Sequence, residues 1–220
     1  MAAAAIGLSA CGRNNADLVQ GKTLFVSHCG SCHQLARANT KGVIGPNLDD
    51  AFRSDRRDGM SASTVKGVVV HQIGYPRRQS VMPAHLVRGQ QAEDVAAYVG
   101  QAAGIPGKDT GALASAGQPK TSSKPAVEKG GKITIDAVDG TAFSTTAATA
   151  KAGKVTFDMP NKSALQHNIA LKGVNGAAGK IIGQGATSTF TATLKAGKYT
   201  FYCQVPGHEA AGMKGTLVVK

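Results

Sequence analysis

The chain has no apolar run near the ~20 residues that a membrane-spanning helix needs. Aromatic residues make up only 5% of its 220 residues, and no nucleic-acid-binding motif is present. The net charge of +12 therefore points to an acidic protein partner or an anionic membrane before it points to nucleic acid. Cysteine is scarce: Cys11, Cys29, Cys32 and Cys203 are the complete set. A zinc site built on two cysteine pairs is excluded, because no second pair follows Cys29 and Cys32. Each cysteine is absorbed by a site described below, which leaves none for a structural disulfide. Arginine is missing from the second half: all eight arginines precede residue 104, and most lysines follow it. That shift suggests two units, within the one or two domains that the length allows.

What is present begins with Cys29-Gly30-Ser31-Cys32-His33. Two cysteines separated by two residues, with histidine next, form the attachment signature of a c-type haem. Each thiol adds to one vinyl group of the porphyrin, and the following imidazole lies where it can bind the iron. A Cys-x-x-Cys redox pair would give His33 no role, and the βαβ setting such pairs favour is missing. Haem attachment of this kind occurs outside the cytoplasm, so the lack of disulfides does not imply a cytosolic protein.

Residues 15–103 have helical periodicity. Asp17 to His28 reads as a short amphipathic helix in which Gly21 permits close helix approach. Gly89 to Ala103 reads as another, with Ala92, Val95, Ala96 and Val99 as its apolar stripe. Helix, haem motif, Gly45-Pro46-Asn47-Leu48, then Met82-Pro83-Ala84 before a last helix resembles a class I monohaem cytochrome c. The resemblance implies an all-α domain and places Pro46 beside His33, where a backbone carbonyl accepts the imidazole Nδ1–H. It implies Met82 as the sixth iron ligand, ahead of Met60, His71 and His85. His28 is expected at the haem edge or exposed. With both axial positions filled the iron has no open site, so one-electron transfer is expected and catalysis is not.

At the N-terminus, Leu8-Ser9-Ala10-Cys11 resembles the lipobox of bacterial lipoproteins, with residues 1–14 as signal remnant and anchor region. The resemblance implies a lipid on Cys11 holding the protein at the outer face of a membrane or in the periplasm. No Lys or Arg precedes Cys11.

Residues 104–131 are rich in Gly, Pro, Ser, Ala and Lys and have no hydrophobic periodicity, which reads as a flexible linker. From residue 132 the period changes to two. Short strands are predicted at 132–136, 154–158, 168–171, 187–194, 198–202 and 215–219, separated by turns, which argues for a β-sandwich. Cys203, His208 and Met213 follow one another in a single loop between strands, and His167 opens a strand upstream. Two imidazoles, one thiolate and a weak thioether suit a mononuclear type 1 copper. The segment is similar to a plastocyanin/azurin-like cupredoxin, which implies an all-β Greek-key sandwich over 132–220. It also implies that Asn168, next to His167, helps hydrogen-bond the thiolate. A binuclear copper centre needs a second cysteine in this loop, and only Cys203 is there.

The expectation is thus an all-α cytochrome c domain followed by an all-β cupredoxin, carrying covalent haem c and type 1 copper. Such a protein would move single electrons between respiratory partners, such as a quinol-oxidising complex or dehydrogenase and a terminal oxidase or reductase. A copper-delivery lipoprotein is the alternative. A copper-dependent reductase is disfavoured, because only His28, His71 and His85 remain for a second copper.

Overall fold

The computed structural model describes residues 16–220; the lipidation expected at Cys11 lies outside the described residues. Helix α1 (Leu18–Leu24) starts at Asp17, whose carboxylate accepts from the Val19 and Gln20 N–H groups. The absence of a side chain at Gly21 lets α1 closely cross the later helix of residues 90–102: a Cβ there would fall 2.1 Å from the Asp94 carbonyl oxygen. The chain then widens into one π-helical turn, Phe25–Cys29, which delivers Cys29 to the haem side. A small hairpin of β1 (Gln34–Leu35) and β2 (Thr40–Lys41) follows.

Helix α2 (Leu48–Arg57) is capped by Asn47, with Asp49 and Asp50 in its first turn and Arg56 and Arg57 in its last. These charges complement the helix dipole at both ends. Helices α3 (Ala62–Gly74) and α4 (Gln90–Ala102) complete the first domain. The expected stripe Ala92, Val95, Ala96 and Val99 is the buried face of α4. Ala92, Val95 and Val99 share the first core with Phe25, Leu35 and Ile73.

Segment 104–131, expected as a flexible linker, makes contacts with both domains. The Asp109 carboxylate is buried and pairs with Lys22 Nζ at 3.0 Å and with Arg37 at 2.7 Å. The Tyr98 hydroxyl donates to the same carboxylate at 2.8 Å. Lys22 Nζ also donates to the Leu113 carbonyl at 2.7 Å, which fixes the short helix α5 (Ala112–Ser115). Composition could not reveal this, because the force comes from one carboxylate meeting a buried ammonium. Further on, β3 (Ala126–Val127) already belongs to the second domain's sheet.

The second domain is a sandwich. Its shorter sheet runs β10 (Thr187–Leu194), β8 (Gly153–Pro160), β4 (Lys132–Thr134). Its longer sheet runs β3, β7 (Ala147–Ala150), β12 (Lys214–Val219), β11 (Gly197–Tyr202), β9 (Ala170–Leu171). A two-stranded ladder of β5 (Ala137–Val138) and β6 (Ala142–Phe143) lies at one edge. Alternate residues of β10 are buried along its whole length, the period-two pattern made physical. Phe157 and Phe190 stack at 4.8 Å between ring centroids, and Phe143 meets Phe201 edge-on. Cys203 and Met213 close this core at the end of β11 and the start of β12.

Candidate metal centres

In the first domain the π-helical turn, the Gly45–Leu48 loop and the Met82 loop surround an apolar cleft of about 600 Å3. Cys29, Cys32, His33 and Pro46 line one side, and Met82 lies in the same cleft. His33 Nδ1 is 3.0 Å from the Pro46 carbonyl oxygen. A carbonyl can only accept, so Nδ1 carries the proton and Nε2 keeps its lone pair for a metal. Gly45 lies flat on the ring: a Cβ there would sit 2.5 Å from His33 Cε1. The chain thus holds the imidazole from two sides, by a hydrogen bond and by close packing. Burial, then the neighbouring Cys32, pushes the free Cys29 thiol up to about 12. A neutral, buried thiol suits an apolar cleft that accepts a porphyrin. These residues fit a covalent haem, with Cys29 and Cys32 as attachment points and His33 as axial ligand.

The lesser candidates are placed as well. Met82 Sδ lies 3.7 Å from Gln72 Nε2. His28 is half-buried on the cleft wall, and burial lowers its pKa. His71 is exposed on α3 and meets Tyr75, which also meets His85. Met60 lies in the turn after α2, where its carbonyl accepts from Arg56. The 600 Å3 cleft takes in none of His71, His85 or Met60.

In the second domain His167, Cys203 and His208 converge, all buried. The two Nδ1 atoms are 3.1 Å apart, and Cys203 Sγ is 3.8 Å from His167 Nδ1 and 3.5 Å from His208 Nδ1. The point equidistant from these three atoms lies about 2.0 Å from each, a bond length for a first-row metal ion. Burial, then the charge of His208, lowers the His167 pKa to about 3, with the Gly140 backbone acting weakly the other way. Burial lowers that of His208 to about 4. Both rings are therefore neutral at pH 7 and present lone pairs. Burial raises the Cys203 pKa, while the Asn168 and Val205 backbone N–H groups draw it back. Those two donors are placed to stabilise a thiolate.

Asn168 does more than the resemblance implied. Its side-chain oxygen accepts from the Gln204 N–H at 2.8 Å, and its amide donates to the Gly179 carbonyl and Gln204 Oε1 at 2.9 Å. It ties the segment of His167, which precedes β9 and is not itself in a strand, to the residue after Cys203. Met213 is fully buried, and its backbone bonds to both His208 and Cys203 close the ligand loop. The donor set, two imidazoles and a buried thiolate with methionine, fits a type 1 copper and supplies rapid one-electron exchange when the ion is bound.

Comparison with known proteins gives two family matches, one to each domain. Residues 18–103 match the cytochrome c family, and residues 129–220 match the copper-binding proteins of the plastocyanin/azurin family. Among solved structures, dithionite-reduced auracyanin from the photosynthetic bacterium Roseiflexus castenholzii is 29% identical, with a TM-score of 0.38. The match covers 42% of this chain and 99% of that one. Auracyanin A, a "blue" copper protein from Chloroflexus aurantiacus, is 28% identical over 40% of this chain and 98% of its own, with a TM-score of 0.36. An amicyanin variant is 23% identical over 41% and 83%, with a TM-score of 0.33. None of the curated proteins matches the chain. The two family matches make the chain a cytochrome c domain followed by a plastocyanin/azurin-type copper domain, and these imply haem c and type 1 copper.

Proposed function

We propose that this chain, a cytochrome c domain followed by a plastocyanin/azurin-type copper domain, is an extracytoplasmic electron-transfer protein. It shuttles single electrons between a quinol-oxidising complex or dehydrogenase and a terminal oxidase or reductase. It is held at the membrane surface by a lipid on Cys11. The observation that carries the redox reading is the copper donor triangle: three buried atoms already at metal-binding separations. Preset ligands keep the geometry nearly unchanged between oxidation states, which favours fast one-electron exchange.

The same burial counts against copper delivery. A carrier must release its ion, whereas His167 and Cys203 are at most 1% exposed. The exposed lysines of the second domain support docking on an acidic protein face. The test mixes the reduced, fully loaded protein with membranes containing a terminal oxidase. Reoxidation at rates that fall as salt rises supports the reading. Transfer of copper to an apo-acceptor within minutes, without reoxidation, overturns it in favour of delivery.

A further inference from the structure

His208 lies in a loop at the end of the sandwich, yet it is only 4% exposed. The first domain meets the loop there. Gly207, the residue before His208, has φ +83°, and a Cβ on it would come within 2.7 Å of Ile44 Cδ1 and 3.4 Å of the Ser31 carbonyl oxygen. Ser31 stands between the two haem-attachment cysteines, and Ile44 lines the haem cleft. The contact therefore joins the wall of one metal centre to the ligand loop of the other.

Two more contacts flank it. Gly140 packs on Val26, with a virtual Cβ 3.4 Å from Cγ1. Gly117, in the connecting segment, lies so close to Val26 that a Cβ would fall 2.8 Å from Cγ2. Beside these contacts is a cleft of about 300 Å3, walled by Gly30, Thr40 and Lys41 from the first domain and by Phe143, Ala211 and Gly212 from the second. All three glycines have positive φ and face first-domain side chains, and at Gly207 and Gly117 the surfaces approach where only the smallest residue fits.

We infer that the first domain is seated on the copper-ligand loop and closes the face through which His208 would otherwise meet solvent. The inference rests on the two-centre reading and deepens it. A redox partner, or a chelator, reaches the copper-ligand loop itself only when the domains part. The connecting segment favours the seated state, because Asp109 and Leu113 anchor it to α1 just before it reaches Gly117.

The test uses the full chain loaded with haem and copper. Small-angle scattering of the wild type should give a radius of gyration of about 17 Å, the value for one compact body of this length. Two parted domains would give clearly more. Bathocuproine disulfonate is then added to ascorbate-reduced protein. Ile44→Asp places a carboxylate against Gly207 and should speed copper loss about tenfold, by favouring the open state. Val43→Asp, at an exposed neighbour, should leave the rate unchanged. An expanded wild type, or Ile44→Asp losing copper no faster than wild type, overturns the seat. If Ile44→Asp does not fold, the scattering of the wild type decides alone. The haem and blue bands are recorded on the same samples. Their absence in the wild type overturns the two-centre reading, whereas their presence in an expanded molecule overturns only the seat.

Discussion

Replacing Asp109 with alanine tests the account of the connecting segment. The carboxylate is 2% exposed and bonds Lys22 Nζ, which is equally buried, at 3.0 Å. It also holds Arg37 Nε and the Tyr98 hydroxyl, each at 2.8 Å. After Asp109→Ala, Arg37 keeps the Gln101 carbonyl and some solvent, so its loss is small. Lys22 keeps the Leu113 carbonyl and the face of the Tyr98 ring but no counter-charge, and becomes an uncompensated buried ammonium. Removing one partner of a buried pair costs about 3–5 kcal/mol, and that range is expected here. Lys22→Met together with Asp109→Asn removes both charges and should cost clearly less than the sum of the single changes. The assay is guanidinium unfolding of the haem-loaded protein, followed by helix signal and haem absorbance. Burial alone would raise the Asp109 pKa, but Lys22, Tyr98 and Arg37 outweigh it and hold it below the ordinary carboxylate value. The unfolded chain then binds the proton more readily than the folded one. This contribution is complete above pH ~4, the unfolded value, and fades as pH falls through the folded one. An Asp109→Ala variant within about 1 kcal/mol of wild type, the size of a surface ion pair, would refute the reasoning.

Gly45→Ala drives a methyl into the His33 ring and should break its bond to Pro46, shifting the Soret band and the haem potential; an unchanged spectrum would rule out the close packing as drawn. Met82→Ala should lower the haem potential and let the reduced protein bind carbon monoxide rapidly, since loss of a thioether opens the sixth position; carbon monoxide binding equal to wild type would remove Met82 as ligand. At pH 7 the metal-free site has a neutral thiol, raised by burial, and two neutral imidazoles lowered to about 3 and about 4. Cu(I) binding should therefore release one proton, from Cys203, at pH 7 and equally at pH ~5.5, whereas ordinary histidines of pKa ~6.5 would bring the lower-pH value close to three. Calorimetry in buffers of different ionisation enthalpy measures the difference.

The elements that bury a face were legible, and those that bury none were not. Strand β10 spans 187–194, the predicted range, because its alternation is uninterrupted. Helix α4 was legible from the stripe Ala92, Val95, Ala96 and Val99. Helix α2 has no buried residue, so no apolar period marked it; its caps and end charges were the available signal. Strands β3, β5 and β7 are short and rich in alanine, too weak in β-propensity to stand out. Lys22, in the amphipathic segment Asp17 to His28, is buried as an ion, because its partner lies 87 residues away in a segment that looked like a linker. The copper donors were legible because their chemistry is rare. What the sequence did not reveal was the seat of Gly207 against Ile44 and Ser31, which depends on how two separate folds meet.

The most direct test of the central claim is a reductive titration of the haem- and copper-loaded protein, followed in the visible region. The account predicts two one-electron steps, one sharpening the haem α-band and one bleaching an intense thiolate-to-copper blue band, with the blue band absent in Cys203→Ala. A haem step without a blue band in the copper-loaded wild type would contradict it.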